Sequence, residues 1–459
     1  MALKPSAKLA IVSTKKDEPT TEGRELKGQI LSLAACYFDA LQPRPFVPGE
    51  TFIPASGKVL DSKDLQHLIE ASLDLWLTSG RFTDSFQEAL AAHIGVRHAL
   101  MTVSGSAANL LAFSALTSWK LRRRRIMPGD EVLTVAAGFP TTVAPIVQNR
   151  CVPVFVDIDP RTHNVNVERL ADAVGPRTRA IMIAHTLGNP FDLDAVTKIA
   201  KDNGLLLVED CCDALGATYR GQSVGTFGDI GTVSFYPAHH ITTGEGGAVF
   251  TSRSSLKLLL ESFRDWGRDC WCRPGDANTC NKRFSWQLGE LPFGYDHKYI
   301  YSHLGFNLKA TDLQAALGVS QLAKLDGFVA RRRENFSALK ASFLREGLDE
   351  YFEIAEPTAG SEPSWFGMPL TIRDGSGLKR VDVIRYLEDH KVGTRLIFAG
   401  NITRQPAFRE VEYRVVGPLD KTDKIMNDSF WIGVWPGIGE AERAYIVETF
   451  KKVVRHLLH

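Results

Sequence analysis

From Ser62 onward the apolar positions Leu65, Leu68, Ile69 and Trp76 recur at helical spacing, with Ser62 as the expected N-cap. Beyond them, short β-rich runs alternate with helical stretches. The runs are Ala99–Val103, Glu131–Val135, Val152–Val156, Ala180–Ala184, Leu205–Val208 and Thr232–Phe235. That alternation predicts an α/β fold of βαβ units, with a mostly parallel sheet covered on both faces. Binding groups should gather at the carboxyl ends of its strands. Asp265–Asn307 breaks the rhythm with Gly, Pro, Asn, aromatic residues and three cysteines, and is too long for an idle loop. A long helix is predicted from Thr311 on the stripe Leu313, Ala316, Leu317, Leu322 and Leu325. The pattern divides the chain into an N-terminal arm (1–50), a large domain (51–344) with a cysteine-bearing insert at 265–300, and a smaller α+β domain (345–459). The arm is polar, then Pro-rich at Pro43, Pro45 and Pro48, with one short helix expected around Gly28–Leu41.

Composition narrows the function classes. Lys and Arg number 54 against 53 Asp and Glu, a net charge of +1, so bulk charge draws the chain to neither nucleic acid nor membrane. The basic run Arg122–Arg125 reads as a solvated helix end or loop. No run approaches the ~18 apolar residues of a membrane span, and the polar N-terminus lacks the apolar core of a secretory signal. Seven cysteines, an odd count, fit a reducing cytoplasm better than a disulfide framework.

Candidate chemistry falls at the ends of the expected strands. Val208-Glu-Asp210 places a carboxylate just past one strand, and Ser104-Gly-Ser-Ala-Ala108 turns from another into a helix whose N-terminus suits a phosphate. Phe139 and Ser234 lie at two further ends. Each element alone has an ordinary reading as a cap, a solvated acid or core. The stretch Ser234-Phe-Tyr-Pro-Ala-His239-His240-Ile-Thr-Thr-Gly-Glu-Gly-Gly247 gathers them into one site. In order and separation these segments resemble the DegT/DnrJ/EryC1/StrS family of sugar-nucleotide aminotransferases and dehydrases, across most of residues 60–450. Leu304-Gly-Phe-Asn307-Leu-Lys-Ala-Thr-Asp-Leu-Gln-Ala-Ala-Leu-Gly318 extends the resemblance.

The resemblance implies the type I fold of pyridoxal-phosphate-dependent transferases. His239 stands where the family carries its Schiff-base lysine. A histidine moves protons but forms no imine, so the implied cofactor is the free amine, pyridoxamine phosphate. By the same resemblance Asp210 pairs with the pyridine nitrogen, and Gly105, Ser106, Ala107 and Ser234 hold the phosphate. Phe139 stacks on the ring, with Tyr236 beside it. Asp213 stands where the aminotransferases carry His or Gln. Asn307 would reach the cofactor phosphate of a neighbouring subunit, which implies a homodimer. His240 reads as structural.

Cys270 and Cys272 flank one residue, Cys280 follows, and Cys212 lies two residues past Asp210. That spacing resembles the iron–sulfur branch of the family, the CDP-6-deoxy-4-hexulose 3-dehydrases of 3,6-dideoxysugar and lipopolysaccharide synthesis. The branch implies a 2Fe–2S cluster on these four thiolates and a CDP-linked 4-keto-6-deoxyhexose as substrate. It also implies a separate NAD(P)H-dependent flavin or iron–sulfur reductase, and this chain has no Gly-x-Gly-x-x-Gly fingerprint of its own. Zinc or buried free thiols are the bland readings of the cysteines. Cys211 competes with Cys212 as ligand, and Cys36 and Cys151 read as ordinary buried residues. Arg81, Arg395 and Arg404 are candidates for the substrate diphosphate or sugar, with surface arginines the equal alternative. Two other readings stand beside the dehydrase: a cluster-free dehydrase that renews its cofactor from glutamate, and an inert relative that only binds.

Overall fold

The computed structural model describes residues 20–41, 45–270, 272, 276, 278–279 and 281–458. Its centre is an eight-stranded sheet. The strands are β1 (His98–Thr102), β2 (Glu131–Val135), β3 (Val152–Val156), β4 (Thr178–Ala184), β5 (Leu206–Asp210), β6 (Ile230–Ser234), β7 (Gly247–Thr251) and the edge strand β8 (Arg414–Val415). They lie in the order β1-β7-β6-β5-β4-β2-β3-β8. β7 runs antiparallel to both neighbours, and the remaining pairs are parallel. All residues of β2, β3, β5 and β6 are buried, which is why these runs show no alternation of apolar and exposed polar positions. Helices Gly105–Leu116 and Ser254–Arg264 cover one face, where Leu111, Phe113, Leu256 and Leu260 share a core with Val132, Met182 and Val208. On the other face Phe86, Leu90, Val196 and Ala315 share a core with Leu133, Ile181 and Ile183.

A second, antiparallel sheet orders Phe352–Ile354, Gly367–Ile372, Ser429–Gly433 and Thr394–Arg395. Its core joins Phe352, Leu370 and Phe430 to Phe343, Leu387 and Phe450 from three helices. The helix Leu325–Arg345 ties the two parts together: Leu325 and Val329 belong to the first core, Phe336 and Phe343 to the second.

Several boundaries differ from the sequence expectation for local reasons. The first helix is Thr21–Asp39, starting well before Gly28, because Thr20 Oγ1 accepts from the Gly23 amide at 3.1 Å. The cap of helix Ser62–Leu73 is Asp61, not Ser62; Asp61 and Asp64 exchange side-chain to backbone hydrogen bonds as a capping box. The expected long helix is two, Asp312–Leu322 and Leu325–Arg345. Strand β7 was not expected. Asp265–Asn307 contains, among the described residues, one short 3₁₀ turn (His297–Tyr299) and the bridges Asp265–Asn307 and Arg268–Tyr301. Arg122–Arg124 are exposed at the end of a 3₁₀ segment. Among the described residues no helix is long and apolar enough to cross a membrane.

Candidate active site

The site forms where β5, β6 and the turn after β1 end together. Asp210, the last residue of β5, is buried, and three donors aim its carboxylate. Asn109 Nδ2 and Thr142 Oγ1 donate to Oδ2 at 2.7 Å each, and the Cys212 amide donates to Oδ1 at 3.0 Å. Asn109 is itself fixed by accepting from Thr232 Oγ1 at 2.6 Å. Neither Asn109 nor Thr142 was found from sequence. The available signal was an asparagine inside the otherwise apolar helix Gly105–Leu116, since a fully buried amide demands partners.

Above this carboxylate the chain builds a cradle. Ser104 Oγ caps the helix by accepting from the Ala107 amide at 3.0 Å, so the first-turn amides of Gly105 and Ser106 stay open at the positive end of the helix. A Cβ on Gly105 would stand 2.5 Å from Ser234 Cβ and 2.9 Å from Cys212 Sγ. Only glycine therefore lets this turn close on β6. Ser106 Oγ bonds Thr141 Oγ1 at 3.0 Å, and Ser234 Oγ accepts from the Tyr236 amide at 3.3 Å. Phe139 and Tyr236 stay half exposed, and Phe139 meets Phe398 edge-on at 6.1 Å.

His239 follows β6 in a turn closed by its amide on Tyr236 O at 2.9 Å. Its Nδ1 lies 3.3 Å from Asp213 Oδ1, and its ring leans on Phe366 with centroids 5.1 Å apart. The His239 carbonyl accepts from Arg332 Nη2 at 3.3 Å. His240 turns the other way: it is buried on Ser364 O at 2.7 Å, and burial and the Arg332 charge hold its basicity well below the usual range. Its structural reading stands on that geometry.

The cysteines separate. Cys211 points into the main core with its thiol pushed far up by burial. Cys212 lies under Gly105 at the cleft, its thiol also raised by burial and by Asp210. Cys270 Sγ accepts from the Cys272 amide at 3.4 Å, and Thr279 Oγ1 donates to Cys272 Sγ at 3.1 Å. Cys280 lies outside the described residues. Among the described residues the one metal-suited group at ligand spacing is His185, Glu209 and Cys211, and it is internally satisfied. Glu209 accepts from the amides of Gly225, Phe227 and Gly228 and faces His185 Nε2 at 3.2 Å, while His185 Nδ1 accepts from the Phe191 amide. Cys212, Cys270 and Cys272 share no such group. Cys151 is buried as expected, its thiol pushed up to about 12, whereas Cys36 is exposed on the outer side of the first helix.

The arginines are less free than expected. Arg81 is held by Asp74 at 2.5 Å and Glu70 at 2.7 Å and lies over the Phe82 ring, so its fork is already occupied. Arg404 pairs with Asp423. Arg395 is exposed, its Nη1 on Thr394 O at 2.6 Å. Asn307 is exposed and accepts from Lys309 Nζ at 2.5 Å.

The chain is 58% identical over 428 residues to the lipopolysaccharide biosynthesis protein RfbH of Salmonella typhimurium, covering 93% of this chain and 98% of that protein. It is 51% identical to the dTDP-4-dehydro-2,6-dideoxy-D-glucose 3-dehydratase of Saccharopolyspora spinosa, covering 94% and 92%. The solved Escherichia coli GDP-4-keto-6-deoxy-D-mannose-3-dehydratase with bound hydrated PLP superposes with a TM-score of 0.78 at 27% identity, over 87% of this chain and all of that one. Residues 58–451 match the model of the DegT/DnrJ/EryC1/StrS aminotransferase family, and the chain belongs to that family.

Proposed function

We propose that the protein is a pyridoxamine-phosphate-dependent sugar 3-dehydratase acting on a nucleotide-linked 4-keto-6-deoxyhexose. The observation that carries this is His239, with Asp213 against its Nδ1, at the position where a transaminase needs an imine-forming lysine. The cofactor fits the residues present. The Gly105 turn is a cradle that a single Cβ would fill, the Gly105 and Ser106 amides are open above it, and Asp210 is aimed from below. Dehydratase relatives support the reaction class, and the E. coli neighbour binds PLP on the same fold.

When bound, the cofactor supplies an amine that condenses with the sugar ketone and a ring that accepts the electron pair freed next to it. The chain supplies the rest. The Gly105 and Ser106 amides hold the phosphate, and Asp210 keeps a proton on the pyridine nitrogen. Phe139 and Tyr236, both half exposed, are the aromatic side chains that would meet the cofactor ring. His239 takes the proton from the cofactor's C4′ atom as general base, its imidazole oriented by Asp213. Expulsion of the sugar C3 hydroxyl as water balances that proton loss. His239 offers no amine to release a C4 amino sugar, so hydrolysis would return C4 to a ketone.

CDP is the proposed nucleotide, from the cysteine spacing. The proposal also includes a 2Fe–2S cluster on Cys212, Cys270, Cys272 and Cys280, a separate NAD(P)H-dependent reductase, a homodimer that brings Asn307 to the neighbouring site, and a cytoplasmic location. The cluster is supported by thiol spacing and by the contact between Cys270 and Cys272. Among the described residues Cys212, Cys270 and Cys272 do not all stand within 4.8 Å of one another, and no step above passes through the cluster. Iron and acid-labile sulfide in protein purified without oxygen test it: about two of each per chain, lost in Cys270→Ser, is expected. No iron after reconstitution overturns it and leaves renewal of the cofactor from glutamate. For the reaction, the loaded protein is offered CDP-, dTDP- and GDP-4-keto-6-deoxyhexoses. Dehydration at C3, fastest with the CDP sugar, is expected; a C4 amino sugar overturns the reading.

A further inference from the structure

We infer that Arg332 is a positioning residue for His239, holding both the backbone of the base and the surface its ring rests on. Arg332, on helix Leu325–Arg345, is the largest wholly buried side chain among the described residues. Its guanidinium spends its hydrogen bonds on main-chain carbonyls. Nη1 donates to Trp365 O at 3.2 Å and Phe366 O at 3.1 Å, and Nη2 donates to His239 O at 3.3 Å. The His239 ring leans on the Phe366 ring at 5.1 Å, so one side chain fixes the imidazole at its root and at its support. Phe366 belongs to a segment that enters the smaller sheet, whereas His239 follows the last parallel strand of the larger one. Arg332 therefore sets the base relative to both parts of the molecule.

Packing alone does not ask for this residue. Among the described residues no carboxylate lies within 4.0 Å of the guanidinium, and burying a cation without such a partner is costly. Burial pushes Arg332 down to about 10, with Asp213 the one acid that acts against that shift, so it stays charged at neutral pH. A methionine would fill much of the same volume without that cost. What only a guanidinium offers is a rigid fork that reaches three carbonyls at once. The distance from the base to the carbon that gives up the proton is where such precision matters, since an error of about 1 Å in a reacting group costs on the order of a hundredfold in rate.

The inference rests on His239 being the base, and the test separates the two. The rate of C3 hydroxyl exchange with oxygen-18 water is measured on holoprotein for the wild type, Arg332→Met, Arg332→Lys and His239→Asn, with cofactor affinity and thermal midpoint recorded for each. Arg332→Met should lower kcat by ~10- to 100-fold, with KM and cofactor affinity within about twofold of wild type. Arg332→Lys, which keeps the charge but reaches fewer carbonyls, should recover part of that loss. Wild-type kcat in Arg332→Met, or parallel losses in kcat, KM and cofactor affinity, overturns the positioning role. Should Arg332→Met fail to fold, Arg332→Lys decides alone: a kcat at least threefold below wild type (roughly what losing one positioning contact costs) supports the role, and an unchanged kcat overturns it. Wild-type exchange in His239→Asn would instead remove the reading of the base itself.

Discussion

Lowering the pH should weaken the fold through two buried histidines, His163 and His303, that take no part in the cofactor cradle. His163 is buried beside Thr371 Oγ1 at 3.4 Å, and burial pushes it down to about 4. His303 sits between Ser118 Oγ at 2.7 Å and Ser262 Oγ at 2.8 Å, and burial, then Lys120, also pushes it down to about 4. Unfolded, each returns to about 6.5. A depressed folded value means the unfolded chain binds more protons between these limits, so stability is fully present above pH ~6.5 and falls as pH drops toward 4. At pH 5 each histidine costs ~2 kcal/mol relative to pH 8, rising to ~3 kcal/mol below pH 4. Together that is a large part of a typical 5–15 kcal/mol. Urea unfolding of the wild type, His163→Asn and His303→Asn at pH 8 and pH 5 reads the effect. Each variant should shrink the difference between the two pH values by ~2 kcal/mol, whatever its own loss at pH 8. An identical pH dependence in all three proteins refutes the reasoning. His303 carries an added consequence, since its neighbour Ser302 donates to Asp269, next to Cys270; acid should loosen the cysteine-bearing segment first.

Gly105→Ala drives a Cβ to within 2.5 Å of Ser234 Cβ on the buried β6, so cofactor affinity should fall at least ~10-fold in a fluorescence titration and the thermal midpoint should fall with it. Thr142→Val removes one of two donors on Asp210 Oδ2, and kcat should drop ~10-fold at unchanged cofactor occupancy, roughly the worth of one hydrogen bond to a charged group. Arg81→Ala breaks a partly exposed pair of ion bridges; it should cost about 1 kcal/mol of stability and leave KM for the sugar nucleotide unchanged, because the guanidinium is already occupied.

What the sequence made legible was what depends on local pattern. The short strand-forming runs between helices marked the buried parallel strands, and Asp210, Ser234 and His239 lie at or just beyond the carboxyl ends of the adjacent interior strands β5 and β6. Strand β7 escaped because it opens on Gly247 directly after Gly244 and Gly246, which leaves only Ala248–Phe250 as an apolar run. Asn109 and Thr142 escaped because their partner Asp210 is distant in sequence and only the fold brings them to it. Arg332 is the middle of three consecutive arginines on one helix, and only the fold shows that it turns inward while Arg331 and Arg333 bond elsewhere. The occupied state of Arg81 was equally invisible, since an ion pair between helices depends on how they cross.

The role proposed for His239 is to move a proton in a dehydration, not to serve a transamination. The most direct measurement is single-turnover mass analysis of pyridoxamine-phosphate-loaded protein with a CDP-4-keto-6-deoxyhexose in oxygen-18 water, run beside His239→Asn. The account predicts label entering at sugar C3 in the wild type, none above background in the variant, and no amino sugar in either. Nitrogen appearing at C4, or exchange at C3 that survives in His239→Asn, would contradict it.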